Sequence, residues 1–396
     1  MNNTQPKSGS SRLLALDIMR GITIAGMILV NNPGSWGNVY SPLLHADWHG
    51  LTPTDLVFPF FMFIMGISTY FSLRKYEFKF SWPCVAKILR RTVVIFLIGF
   101  ALAWFGKMVG ALNKPDVSIA EAMFDFSTIR ILGVMPRLAL AYGFSAILAV
   151  LLSRRQLAWT IVLLLFGYFL ILVFGHGFEF ADNNVLAIVD QKVLGADHVY
   201  SSKIDGVRLK FDPEGLLATV PSVAHCLIGF LCGWLIVSTK DNTLRINRLF
   251  IVGAILTFAG FLLAYGCPLN KKIWSPTFVL TTCGLAASLL GLLIWIIDIK
   301  GHKRWCRFFE AFGINPLFMY CLAAVFAILF RNIHLPVTDL SGHGLASVRA
   351  FLYDFVMTPL CGGNLTLASL GYALLFVVFT WCFGYFLYKK RIYIKI

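Results

Sequence analysis

The sequence is poor in charged residues, which make up only 13% of its 396 residues. Soluble globular domains carry about a quarter charged residues, so this deficit excludes an ordinary soluble protein. Hydrophobic residues account for 58% of the chain, and the mean hydropathy is +0.76. The composition therefore indicates an integral membrane protein.

Acidic residues are especially scarce, with 19 Asp and Glu against 34 Lys and Arg and a net charge of +15. Such an excess is also found in proteins that bind nucleic acids. Here the basic residues lie in short clusters between long apolar runs, as they do at the ends of membrane spans. We therefore exclude nucleic acids as partners and expect the lipid bilayer to be the main one.

The nine cysteines show no C-x-x-C pair. They are odd in number and lie mostly within apolar runs, which excludes a disulfide framework and a cysteine-rich zinc site. We interpret them as small apolar packing residues.

The apolar runs predict an all-α fold, a polytopic membrane helix bundle of about ten transmembrane helices. Each run is close to the roughly 20 residues that cross a bilayer. The predicted spans are 13–32, 52–73, 92–112, 130–152, 157–175, 215–238, 248–266, 275–298, 308–331 and 366–388. A further segment, 346–360, is short and carries Arg349 and Asp354, so a surface or re-entrant helix is predicted there.

The distribution of charge predicts the topology. With ten spans, most of the 34 basic residues fall on one side, which we interpret as cytoplasmic. Both termini are then cytoplasmic, and loops 31–51 and 176–213 are extracytoplasmic. We expect an uncleaved polar tail at 1–11 and one transmembrane domain at 12–396, without internal repeats.

The densest cluster of reactive side chains lies where the first outer loop re-enters the membrane, in LLHADWHGLTPTDLVFPFF. It contains His45, Asp47, His49 and Asp55. Histidine exchanges protons near neutral pH, and a nearby carboxylate can orient its ring. The cluster predicts either a catalytic histidine or ordinary polar anchors at the interface. No clear third ligand is at hand, so no metal site is predicted.

Two arginines lie within predicted spans, where charge is costly. Arg20 follows Asp17 by three residues, on the same helical face. Either the two side chains neutralise each other, or Arg20 binds an anion. Arg137 follows Pro136, which removes a backbone hydrogen bond and opens the helix. A guanidinium fixed there suits a phosphate or carboxylate.

Other polar positions in or beside the spans allow two interpretations. Glu214 is either a favourable first-turn carboxylate or a substrate ligand. Asn31 is an amide at a helix end that can hydrogen-bond a carbonyl group, and His225 is interpreted as a core histidine. The glycines of GFLCG, Gly229 and Gly233, allow close packing, either within one chain or in a homodimer.

Seven blocks of sequence resemble, in order, the membrane domain of the heparan-α-glucosaminide N-acetyltransferase family and its bacterial relatives. The resemblance covers about residues 12–396 and is most specific between His45 and Gly66. The blocks are RLLALDIMRGITIAGMILVNN, LLHADWHGLTPTDLVFPFFMFIMG, RILGVMPRLALAY, FDPEGLLATVPS, PLNKKIWSPTFVL, FFEAFGINPLFMY and LYKKRIYIKI.

The resemblance implies a transferase of the bacterial inner membrane that uses cytosolic acetyl-CoA as its acetyl donor. The acceptor would be the amine of a glucosamine-type sugar on the far side; without a counterpart of the animal enzyme's extra extracytoplasmic domain, a small amino sugar is expected. The implied catalytic pair is His45, as general base or acetyl carrier, with Asn31 polarising the thioester. We assign Arg20, Arg137 and Lys271 to acetyl-CoA binding, and Asp47, Asp55 and Glu214 to the acceptor.

Three alternatives stay open at this point. LDIMRGITIA is also similar to the start of membrane polysaccharide O-acyltransferases, in which a histidine follows the arginine by eleven residues. Asn31 stands at that spacing after Arg20, which favours the N-acetyltransferase branch. The others are a secondary transporter for an amino sugar, with His225, Arg137 and Glu214 as binding groups, and a membrane scaffold with no use for the His45 cluster.

Overall fold

A computed structural model describes residues 13–114, 116–204, 206–339 and 342–394. The predicted tail at 1–11 lies outside these residues. The helices are α1 Leu14–Asn31, α2 Val57–Leu73, α3 Trp82–Ala111, α4 Ile119–Phe124, α5 Val134–Leu151, α6 Arg154–Phe174, α7 Val185–Leu194, α8 Thr219–Ser238, α9 Asn242–Leu263, α10 Pro276–Ile294, α11 Cys306–Gly313, α12 Pro316–Asn332, α13 Val348–Phe351, α14 Thr358–Leu360 and α15 Leu365–Lys389.

The predicted helical membrane bundle is confirmed. Within the described ranges, nine helices are long and apolar enough to cross a membrane, and a strongly bent pair brings the number to ten. Large apolar side chains on the outside of α6 and α9, such as Phe174 and Phe258, are mostly exposed. Such surfaces are stable only in lipid, so the chain is an integral membrane protein.

The third span differs from its prediction, because α3 begins at Trp82 and not near residue 92. Its first turns carry Lys87, Arg90 and Arg91, which the prediction assigned to a loop. These side chains are long enough to reach the aqueous side from a helix, and Arg91 lies over the ring of Tyr142 at 4.6 Å.

The ninth span, predicted as one helix over 308–331, is broken. Helices α11 and α12 meet at 83°, with Pro316 in the first turn of α12. The preceding Asn315 has a non-helical backbone, as residues before proline prefer. Its side chain binds the C-terminal segment, donating to the Ile392 carbonyl at 2.8 Å and accepting from the Ile394 amide at 2.8 Å.

The sequence patterns did not predict two short antiparallel hairpins in the connections. Strands β1 Ser201–Ile204 and β2 Val207–Lys210 form one, and β3 His334–Asp339 and β4 Gly342–Ser347 form the other. The 346–360 segment continues from β4 into α13, a wide turn at Leu352–Met357 and α14. It is absent from the candidate spans, in agreement with the predicted surface or re-entrant helix.

Glycines set the closest helix contacts in the core. A methyl group at Gly229 of α8 would collide with the carbonyl oxygen of Phe63 in α2, and one at Gly66 of α2 would collide with that of Cys226. At Gly233 a methyl group would meet the Tyr70 side chain. Small residues let two backbones approach in a membrane, so the GFLCG glycines pack α8 on α2 within one chain.

We expect Gly229→Ala to destabilise the protein by about 1–3 kcal/mol, because overpacking forces two backbones apart. Gly167→Ala is the matched control, since Gly167 lies in α6 and a methyl group there meets nothing within 4 Å. Thermal unfolding in detergent should show a lower Tm for Gly229→Ala and an unchanged or slightly higher one for Gly167→Ala. Equal Tm values would contradict the close approach of α2 and α8.

The connections between spans lie on two faces of the bundle. The loop face carries connections 32–56, 112–133, 175–218 and 264–275. Two hydrogen bonds join three of them: the Gly50 amide donates to the Leu269 carbonyl at 2.7 Å, and the Trp48 indole donates to the Phe178 carbonyl at 2.7 Å. The basic face carries 74–81, 152–153, 239–241 and 300–305. Clustered lysines and arginines lie in these connections and in the adjoining first turns of helices, such as Arg90 of α3, Arg154 of α6 and Arg245 of α9.

Candidate active site

The predicted histidine and aspartate meet on the loop face. A short turn at Pro53–Leu56 places Asp55 next to His45, and Asp55 Oδ1 lies 2.7 Å from His45 Nδ1. The other carboxylate oxygen, Oδ2, accepts hydrogen bonds from the amides of Ala46 and Thr52 at 3.1 Å each and from Thr52 Oγ1 at 3.0 Å. Three donors therefore fix this carboxylate before it binds the imidazole.

The Asp55 carboxylate favours one tautomer of the ring. An ionised carboxylate accepts only, so this contact favours the tautomer with the proton on Nδ1 and the lone pair on Nε2. The Asp55 side chain is 1% exposed, whereas that of His45 is 41% exposed. A buried carboxylate that orients an accessible imidazole is the arrangement of a general base or nucleophile.

Lys271 is the third member of this group. Its Nζ lies 3.0 Å from Nδ1 and 3.3 Å from Nε2 of His45, and 3.5 Å from Asp55 Oδ1. The pKa of Lys271 is lowered, because the effect of burial is larger than the opposite effect of the nearby Asp55 and Glu214 carboxylates. A partly desolvated ammonium group beside Nε2 can bind an oxygen atom that gains negative charge there.

The segment that carries Lys271 is tied to the histidine loop by further contacts. The Asn270 amide lies 3.3 Å from His49 Nδ1, and Asn270 Oδ1 accepts from the amide of Lys272 at 2.7 Å. Lys272 Nζ donates to the Asp47 carbonyl at 2.6 Å, while the Asp47 side chain is exposed. Burial lowers the pKa of His49, and a hydrogen bond with the backbone of Phe178, which raises that pKa, offsets only part of this effect.

A network of charges packs behind the group. Arg130, in connection 112–133, donates to Asp212 and to Glu214. Burial alone would raise the pKa of Glu214, but Arg130 and Arg137 outweigh it and hold that pKa below its ordinary value. Glu214 is thus an ionised carboxylate next to the loop-face group, and Lys271 is among the charges that act on it.

Arg137 is fully buried at the start of α5 and joins three segments. Its Nε donates to Ser222 Oγ at 2.9 Å, Nη1 to the Pro213 carbonyl at 2.8 Å and Nη2 to the Ala218 carbonyl at 2.7 Å. The guanidinium also lies over the Trp274 ring at 4.2 Å. Every guanidinium nitrogen therefore already has a protein partner, and anion binding by Arg137 stays a prediction.

Among the described residues, no hydrogen bond joins this group to the other two predicted residues, Arg20 and Asn31. Arg20 donates to Asp17 Oδ1 and Ser68 Oγ, both at 2.9 Å. Asn31 follows Arg20 by eleven positions, which is about 16 Å along α1. Asn31 is exposed at the end of α1, and in the described part of the chain no hydrogen bond joins it to His45.

One carboxylate of this region was missed by the sequence analysis. Asp190 of α7 is completely buried; its Oδ1 accepts from the Leu216 amide at 2.8 Å, and its Oδ2 has no hydrogen-bond partner among the described residues. Burial, with a contribution from Asp212, raises the pKa of Asp190 to about 7.

We expect Asp190 to make stability depend on pH. Its folded pKa lies above the unfolded value, so the folded state binds more protons, and this stability is lost as the pH rises through about 7. The Tm of Asp190→Asn should therefore rise relative to that of wild type between pH 5 and pH 8. The difference in free energy of unfolding behind it is on the order of 1 kcal/mol for each unit by which the pKa of Asp190 is raised. Asp182→Asn, at an exposed position, serves as the control; a constant difference for Asp190→Asn would refute the assignment.

The fold and this polar group define a membrane protein with a histidine site at one end of its helices. Two curated relatives extend that description. Heparan-alpha-glucosaminide N-acetyltransferase of Homo sapiens is 28% identical, over 81% of this chain and 54% of that protein. The Mus musculus protein of the same name is 26% identical, over 79% of this chain and 53% of that protein.

The chain is therefore a distant homologue of the heparan-alpha-glucosaminide N-acetyltransferase family, which confirms the resemblance. It spans about half the length of the curated relatives it matches. No family model matches the chain.

Proposed function

We propose that this protein is a transmembrane N-acetyltransferase that moves acetyl from acetyl-CoA to the amine of a glucosamine-type sugar. The observation that carries the proposal is the contact between His45 and Asp55, with an accessible imidazole and a buried carboxylate. The distant homology supports the reaction class, because acetyl transfer to an amine needs a group that removes the amine proton.

In a direct reaction, His45 Nε2 takes a proton from the acceptor amine as its nitrogen attacks the thioester carbonyl. The new carbon–nitrogen bond forms, the carbon–sulfur bond breaks, and the CoA thiolate leaves. Asp55 stabilises the resulting imidazolium, and Lys271 binds the oxyanion that develops on the carbonyl oxygen. The protonated histidine then passes its proton to the thiolate, which restores the neutral imidazole, and the amide and the CoA thiol leave.

In a two-step reaction, Nε2 attacks the thioester itself and releases the CoA thiolate, forming an acetyl-histidine. The acceptor amine then attacks this acetyl group, the bond between the acetyl carbon and Nε2 breaks, and the freed imidazole takes the amine proton and passes it to the CoA thiolate or to water. Asp55 holds the same Nδ1 proton in both cases, so the two routes need the same residues. Mixing the protein with radiolabelled acetyl-CoA and no acceptor, followed by rapid denaturation and desalting near neutral pH, distinguishes them, because only the two-step route leaves label on the chain.

The orientation follows from charge. We place the basic face in the cytoplasm of a bacterial cell and the loop face outside, since Lys and Arg accumulate on the cytoplasmic side. The anionic nucleotide of acetyl-CoA would bind among the arginines and lysines of the basic face, and its thioester end would reach towards His45. The acceptor would bind from outside, next to His45, Asp47 and Glu214, with Asp55 buried behind His45.

Thiol release by the purified protein tests the proposal. With acetyl-CoA and glucosamine together, we expect free CoA and N-acetylglucosamine to appear in equal amounts. A polysaccharide O-acetyltransferase would leave glucosamine untouched and modify a hydroxyl acceptor. A transporter would move glucosamine into proteoliposomes without consuming acetyl-CoA, and that result would overturn the proposal.

A further inference from the structure

A large groove on the membrane-facing side of the bundle does not include His45 in its lining. It has a volume of about 1010 Å³ and lies between α6 and α9, and α8 and α10 form its floor. Ligand pockets usually measure about 300–1,000 Å³, so the groove is large enough for a sizeable molecule. The acetyl-transfer proposal places neither the acceptor nor the thioester in it.

The groove is apolar along almost its whole length. Its walls consist of side chains such as Leu165, Leu231 and Leu256. It extends along α6 from Arg154 to Phe169, which is about 22 Å of helix and most of the roughly 30 Å hydrocarbon layer. Such a surface suits hydrocarbon chains and is unfavourable for a polar ligand.

One end of the groove, at the basic face, is positively charged. Arg154 and Arg155 line this end, and the guanidinium of Arg154 lies over the Trp234 ring at 4.5 Å. Both arginines occupy the first turn of α6, which has no acidic residue. Cations are unfavourable at a helix N-terminus because the helix dipole is positive there, so this end favours an anion.

We infer that the groove binds one anionic glycerophospholipid of the bilayer. Its phosphate contacts Arg154 and Arg155 at the basic face, and its acyl chains lie between α6 and α9. The apolar walls and the charged end match the two parts of such a lipid. A zwitterionic lipid carries a cation that meets the two arginines, so it binds more weakly.

Lipid retention tests the inference directly. The protein is reconstituted in nanodiscs with equal amounts of phosphatidylglycerol and phosphatidylcholine, extracted in mild detergent and analysed by native mass spectrometry. We expect one phosphatidylglycerol per wild-type chain. The double variant Arg154→Gln/Arg155→Gln should bind it about 30-fold more weakly, since each basic side chain at a membrane surface contributes about 1 kcal/mol.

Lys389→Gln/Lys390→Gln is the matched control, because it removes two adjacent exposed cations at the end of α15 on the same face. It should retain the lipid like wild type. Ala158→Trp keeps both arginines and fills the groove one helical turn from Arg154, so it should lose the lipid even if the arginine variant does not fold. Full retention by Ala158→Trp or by a folded arginine variant, or equal retention of phosphatidylcholine, would overturn the inference.

Discussion

Replacing His45 by alanine is expected to lower kcat for acetyl transfer by about 10²–10⁴-fold, the usual contribution of a positioned general base. The protein should still fold, because the His45 side chain is 41% exposed and its removal leaves no packed cavity. If His45 carries the acetyl group, the loss is complete and no acetyl label remains on the variant after rapid desalting near neutral pH. Initial rates of thiol release at saturating substrates measure the effect.

The control for this prediction is His176→Asn. His176 is another exposed histidine of the loop face, and its side chain is 58% exposed. Its backbone φ is 51°, a left-handed value that asparagine tolerates better than alanine. This variant should keep the wild-type rate, and a wild-type rate for His45→Ala would remove His45 from the mechanism.

Asp55→Asn is expected to lower kcat by about 10²-fold or more, through the orientation of His45. The amide can still accept from Nδ1 of His45, but it provides no negative charge to stabilise the imidazolium. Two backbone amides and the Thr52 hydroxyl also donate to the second carboxylate oxygen. If the NH₂ group of the new asparagine replaced that oxygen, it would face three other donors. Some loss of stability is therefore expected as well.

Separate values of kcat and KM distinguish catalysis from folding in this variant. Without the carboxylate the imidazole is less well oriented, so kcat should fall while KM changes little and the melting curve stays cooperative. Asp182→Asn makes the same chemical change at an exposed position of connection 175–218 and should leave both readouts unchanged. A lower rate explained by loss of folded protein, with unchanged kcat per folded molecule, would assign Asp55 a purely structural role.

The number of spans and their approximate ends could be predicted from sequence, because each span needs about 20 apolar residues whatever it packs against. The break between α11 and α12 could not be predicted from hydropathy, since the apolar run continues through it. Its signal was the Asn315–Pro316 step, which disfavours helix at the preceding residue. The hairpins depend on local backbone pairing in the loops, where hydropathy gives no information.

The candidate site was only partly accessible to sequence reasoning. His45 and Asp55 are ten residues apart, and the spacing of Thr52 and Asp55 is a capping pattern that predicts a tight turn between them. Lys271 is 226 residues from His45, and Arg130 is 82 residues from Asp212. Such contacts depend on how the spans pack, so the resemblance supplied Lys271 but could not pair it with His45.

Acetyl transfer across a sealed membrane tests the central claim most directly. Proteoliposomes with known orientation receive radiolabelled acetyl-CoA on one side and glucosamine on the other. We predict labelled N-acetylglucosamine in the glucosamine compartment only when acetyl-CoA is on the basic face, and none with His45→Ala. Label that forms only when both substrates share one side, or glucosamine that crosses without being acetylated, would contradict a transmembrane acetyltransferase.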